Sequence, residues 1–229
     1  MNLEHPLDNL IWDTITQNHK HLSTLGKKAA VYHPQVFNFA GLKEDTKQAW
    51  TELGKIVTTN RVITIPFKPP ENQKQWQILH QLHVNQMMIE KPIPHKEMDL
   101  ETLTVSDVPQ MIDLMEITGA APFMERTIEM GRYIGHKIDG KLVAMGGERM
   151  KAHGFVEISG VGTHPDYRRR GFGKAITCAL TNEIFERGET PFLHCWDGNE
   201  PAFTIYKKLG FITRVNAPMW VIMKKASEH

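Results

Sequence analysis

The chain has 229 residues, 41% hydrophobic and 23% charged, a make-up that suits one globular unit or two small ones. Its formal net charge of +1 excludes the broad basic footprint of a nucleic-acid binder and any acidic tail. Two cysteines, Cys178 and Cys195, are too few for a disulfide framework, and no apolar run approaches the ~18 residues of a membrane span. The start, from Met1 to Pro6, lacks the basic residues and apolar core of a signal peptide, so a soluble, cytoplasmic protein is expected.

In the first part, Leu7, Leu10, Ile11, Ile15 and Leu22 predict a helix within residues 7–24. Residues 29–32 read as a short strand. A helix from Asp45 or Thr46 through Thr58 would bury Trp50, Leu53, Ile56 and Val57. Residues 61–67 read as a strand, and Pro69 and Pro70 break the chain. A short helix is expected over 76–83 and a strand over 85–90. Residues 91–96 hold two prolines and no apolar period, which places a boundary there. The first 92 residues then form a small α/β unit without a catalytic motif.

The second part starts with a strand ending at 103–105. Ser106 or Asp107 caps a helix that carries Val108, Met111, Ile112, Leu114 and Met115. Residues 122–130 add a helical turn or two. Residues 132–138 and 141–147 form a hairpin, with Asp139 and Gly140 supplying the positive φ angles of its turn. Residues 155–162 are a strand, followed by a basic, glycine-containing loop and a helix bearing Phe172, Ile176, Leu180 and Ile184. A strand at 191–196 follows. Asn199 caps a helix with Pro201 in its first turn and Gly210 as its stop. Residues 211–214 and 219–223 close the sheet.

The strand, basic loop, glycine and helix sequence carries chemistry. Gly171 and Gly173 let the backbone turn sharply and come close to a ligand. The first amides of the following helix have no intrahelical partner, and the helix dipole makes that end positive. Arg168, Arg169, Arg170 and Lys174 add charge, so a phosphate or pyrophosphate fits there. The pattern is not G-x-G-x-x-G directly after a strand, nor a P-loop, which needs lysine and serine or threonine after its last glycine.

Arg168, Gly171 and Gly173 instead resemble the Arg/Gln-x-x-Gly-x-Gly/Ala signature of the GNAT superfamily of N-acetyltransferases. Asn199, Ala202, Tyr206, Gly210 and Phe211 are similar to the late helix of that family, and the order of elements over about residues 101–225 agrees. The residues near Leu7 to Trp12 look like the first half of two-part members, where that half resembles a degenerate copy of the same fold. The resemblance implies a mixed α/β protein of the α+β type: a catalytic GNAT fold over 97–229 and a smaller, degenerate GNAT-like half over 1–92.

It also implies acetyl-CoA as co-substrate, lying in a V-shaped opening between the strands 155–162 and 191–196. Val161, Gly162 and Thr163 would offer a backbone edge to the pantetheine arm. Residues Arg168, Arg169, Arg170, Gly171, Phe172, Gly173 and Lys174 would hold the pyrophosphate, and Asn199 would bond the CoA arm. The partner would be a small-molecule or peptide amine. Acetyl transfer requires a neutral amine, a stabilised oxyanion and a proton for the leaving thiolate. Tyr206 fits the last role by resemblance. Glu157, mid-strand and 13 residues before Arg170, occupies the place of the base in one branch of the family; Glu148, His194 and water are alternatives. Cys195 alternates to the opposite face from His194, which speaks against a Cys–His nucleophile, and no histidine spacing suggests zinc. Competing readings are a catalytically silent CoA-binding or sensor module and an acyltransferase for longer acyl-CoA.

Overall fold

The computed structural model describes residues 5–71, 74–94 and 98–226. The first four residues of the expected leaderless start, and 95 and 96 of the expected boundary, lie outside them. The first helix, α1 (Leu10–Gln17), is shorter than its pattern, because Leu22 is buried from a separate 3-10 turn at Lys20–Leu22. Strands β1 (Ser23–Leu25), β2 (Ala29–Tyr32) and β3 (Ala40–Leu42) make a small antiparallel sheet. Helix α2 (Lys47–Ile56) starts where Thr46 Oγ1 accepts a hydrogen bond from the Ala49 amide at 3.3 Å, and it buries Ala49, Trp50 and Leu53.

Strand β4 (Val62–Ile65) precedes β5 (Trp76–Met88), a single strand of 13 residues. The short helix expected over 76–83 is therefore wrong. Its apolar residues fit either period, and antiparallel pairing with the last strand along the whole length decides for the strand. After β6 (Glu101–Thr102), Thr104 and Asp107 form a reciprocal capping box ahead of α3 (Val108–Thr118). Strands β7 (Tyr133–Ile138) and β8 (Lys141–Ala152) form the expected hairpin, with Asp139 and Gly140 at φ of 50° and 78°. A second turn at His153 and Gly154 leads to β9 (Phe155–Thr163). Then follow α4 (Phe172–Glu186), β10 (Thr190–Trp196), α5 (Glu200–Leu209) and one long closing strand, β11 (Ile212–Lys224), where two short ones were expected.

Eight strands share one sheet in the order β4-β11-β5-β10-β9-β8-β7-β6. Strands β9 and β10 are its parallel neighbours, joined through α4, and its other pairings are antiparallel. Side-chain alternation splits the core into two layers. Ala144, Val156, Ile158, Leu193 and Cys195 pack with α4 and α5, while Tyr133 and Met145 pack with α3. On the α3 side, Phe192, Met150 and Ala152 meet α1, Tyr32, Phe37 and Phe39. Among the described residues no helix is long and apolar enough to cross a membrane.

Candidate active site

The parallel ladder of β9 and β10 runs from the Phe155/Thr190 pair to the Ile158/Leu193 pair and stops. Beyond it β10 stays with β5, pairing His194 with Gln86 and Trp196 with Val84, while β9 stays with β8. Gly160 causes the parting: its left-handed φ of 62° bends β9, and the register to β8 shifts around it. The β9 backbone from Ser159 to Thr163 is left without a β10 partner, at the place of the expected opening. Val161 and Thr163 are half-buried there, and Gly162 is buried under Met115 and Thr118 of α3.

The basic loop lies at the end of the same strand. Arg169 and Gly171 adopt φ of 63° and 88°, which curls the chain into the amino terminus of α4, with Gly171 as N-cap. Arg168, Arg169, Arg170 and Lys174 are exposed. The Arg168 Nε donates to the Thr163 carbonyl at 3.4 Å, and the Arg170 guanidinium lies 5.0 Å from the Tyr167 ring. Phe172 is buried and stacked on His136 at 4.8 Å, which anchors the helix start. A methyl group at Gly173 would touch only Thr163 Oγ1 at 3.6 Å and Val161 Cγ1 at 3.8 Å. Gly173 thus leaves a space between helix and strand that a Cβ would enter.

Tyr206 stands on α5, its ring edge-on to Phe211 at 6.0 Å, within the layer that holds Cys195. Burial, with the neighbouring Cys195 thiol, pushes its phenol well above the ordinary value. It stays protonated across physiological pH. Asn199 has a structural task, because its Oδ1 accepts from the Ala202 amide at 3.3 Å.

Glu157 faces the other layer and is fully buried. Arg149 holds it with two bonds, Nε to Oε2 at 2.9 Å and Nη2 to Oε1 at 2.6 Å. His194 Nδ1 lies 2.7 Å from Oε1. Burial alone would raise the Glu157 carboxyl, but the Arg149 charge and the bonds from Arg149 and His194 bring it down to about 2. A carboxylate so engaged is a weak proton acceptor. Glu157, which as a carboxylate on a buried strand has to be paired or functional, is the anion held between Arg149 and His194. Glu148 is drawn away, ion-paired to Arg187 at the end of α4. Cys195 does lie on the opposite face from His194, as alternation required.

Three participants escaped the sequence reading. Arg149 lies against the paired rings of Phe37 at 5.1 Å and Phe39 at 5.0 Å. The other two are Gln86, whose Nε2 lies 3.1 Å from His194 Nε2, and Arg214, whose Nε donates to Gln86 Oε1 at 2.5 Å. A buried glutamate on a strand signals that a cation must meet it. A register shift between Glu148 and Lys151 hides which residue supplies it.

Residues 134–221 match the family described as FR47-like protein. A solved structure of a GNAT-family protein from Novosphingobium aromaticivorans superposes with a TM-score of 0.87 at 28% identity, covering 97% of this chain and all of that one. The ribosomal-protein alanine N-acetyltransferase of Escherichia coli is 26% identical over 118 residues, 49% of this chain and 79% of its own length. The mycothiol acetyltransferase of Saccharomonospora viridis is 41% identical over 58 residues, 25% of this chain and 19% of that relative's length.

Proposed function

The chain belongs to the GNAT superfamily of N-acetyltransferases, and we propose that it moves the acetyl group of acetyl-CoA directly onto a primary amine of a small molecule or peptide. The observation that carries this reading is the parting of β9 and β10 after Ile158 and Leu193, beside the amino terminus of α4. An amide-rich arm would pair along Val161, Gly162 and Thr163 as an added strand. Arg168 to Lys174 would take a pyrophosphate, and the Asn199 side-chain amide would face the arm. Acetyl-CoA supplies an acetyl group already activated as a thioester.

The chain's own groups then divide the proton work. The Tyr206 hydroxyl, kept neutral by burial, holds the proton for the departing sulfur from the α5 side. His194 receives the amine proton from the other side of the opening. Its Nδ1 rests on Glu157, which Arg149 keeps ionised. Burial raises the Cys195 thiol to about 11, so no thiolate stands ready to carry the acetyl group, which favours direct transfer.

Initial rates measured against both acetyl-CoA and an accepted amine test this. Intersecting double-reciprocal lines are expected, and parallel lines would indicate an acyl-enzyme. Competition by acyl-CoA of increasing chain length separates acetyl from longer acyl transfer.

A further inference from the structure

Six side chains form an unbroken polar chain beneath the opening. Arg149 binds Glu157, Glu157 meets His194, and His194 meets Gln86 of β5. Gln86 accepts from Arg214 of β11, whose Nη2 donates to Asp8 Oδ1 at 2.6 Å. Asp8 Oδ2 in turn accepts from the His5 amide at 2.9 Å. Two of these residues come from the first 92.

The direction of each bond follows from which groups can only donate. A guanidinium has no acceptor, so the Gln86 atom facing Arg214 is its carbonyl oxygen. The Gln86 atom facing His194 is then its NH2, which donates. His194 Nε2 must therefore accept, and carries no proton. The ring proton sits on Nδ1, where Glu157 Oε1 receives it at 2.7 Å. Protonating Nε2 would set a donor against the Gln86 donor. The charged groups that bear on this ring are Glu157 and, through it, Arg149, with Arg214 and Asp8 acting through Gln86; its third direct neighbour, Phe192, is apolar.

We propose that the Arg214–Gln86 pair keeps the Nε2 of His194 bare by holding a donor against it, while Glu157 keeps the ring proton on Nδ1, making the first part of the chain a positioning element for proton acceptance at Nε2. This rests on the reading of His194 as the acceptor. An arriving ammonium would replace the Gln86 N–H on the Nε2 lone pair, and the exchange is favourable because a charged donor bonds more strongly than a neutral one. The proton then passes from the amine nitrogen to Nε2. The positive charge left on the ring lies against Glu157, while Nδ1 keeps its own proton.

Nitrogen NMR of the histidine-labelled protein reads the tautomer without any turnover. The wild-type ring should show a protonated Nδ1 and a bare Nε2. In Arg214→Met the Gln86 amide is free to turn its oxygen toward Nε2. With an acceptor facing it, Nε2 should then carry a proton while Nδ1 keeps its own against Glu157, so the doubly protonated ring should appear. Arg214→Lys, which keeps a donor on Gln86, should restore the wild-type pattern, and Gln86→Glu should likewise put a proton on Nε2. A wild-type ring protonated at Nε2, or an Arg214→Met ring unchanged from wild type, would overturn the proposal. The acid limb of kcat/KM should move in the variant whose Nε2 gains a proton. A protonated Nε2 with an unmoved limb would uphold the Arg214–Gln86 control of Nε2 and remove His194 as the proton acceptor.

Discussion

Gly173→Ala separates ligand binding from folding, because the structure gives the two effects opposite signs. The added methyl meets Thr163 Oγ1 at 3.6 Å and Val161 Cγ1 at 3.8 Å, ordinary contact distances, so the fold accommodates it. Gly173 is the second residue of α4, where alanine is the better helix former by about 0.5–1 kcal/mol. The melting temperature should hold or rise by about 2 °C. The same methyl occupies the space between the helix start and the β9 edge that a pyrophosphate would approach. Loss of one charge-assisted bond there costs about 1.5–3 kcal/mol, which is about 10- to 150-fold in affinity. Calorimetric titration with CoA, beside a thermal scan, measures both. Unchanged or tighter CoA binding in the folded variant would refute the placement of the phosphates at α4.

Tyr206→Phe keeps the ring against Phe211 and removes one proton, so turnover should fall about 100-fold with CoA affinity unchanged. Equal rates would leave Tyr206 as a packing residue. Arg149→Leu strips the buried Glu157 of its guanidinium and should cost about 3–5 kcal/mol in urea unfolding. A loss below about 1 kcal/mol would mean that water reaches Glu157. Burial lowers His19, bonded to Tyr32 at 2.7 Å, to about 4 against 6.5 in the open chain. That share of stability is present above pH 6.5 and is lost as pH falls through about 4, by about 3 kcal/mol. His19→Gln should flatten the fall between pH 7 and pH 4, and an unaltered slope would place the acid sensitivity elsewhere.

The parts legible in the sequence are those set by local chemistry. Asp139 with Gly140, Thr46, Asn199 and Gly210 mark turns and caps wherever they fall, and the structure uses each as marked. The loop from Arg168 to Gly173 could be read for the same reason. The first part of strand β5 was not legible, because Trp76, Ile78, Leu79 and Leu82 suit a helix face nearly as well as a strand and only β11 selects one, whereas its end from Asn85 read as a strand. The V-shaped opening entered only through the family resemblance, and its start at Ile158 was not legible in the residues, since Gly160 within β9 declares its left-handed bend only in three dimensions. The partners of Glu157 come from β8 and β10, joined through Gln86 of β5 to β11, so their meeting depends on register and not on spacing.

Thiol release from acetyl-CoA, followed with the purified chain over a panel of amino acids, polyamines and peptides, tests the transfer reaction itself. Direct transfer predicts release that appears only with an accepted amine, matches acetylated product one for one, and drops in Tyr206→Phe. Release independent of amine, or tight CoA binding with no release in the presence of any amine, would contradict it.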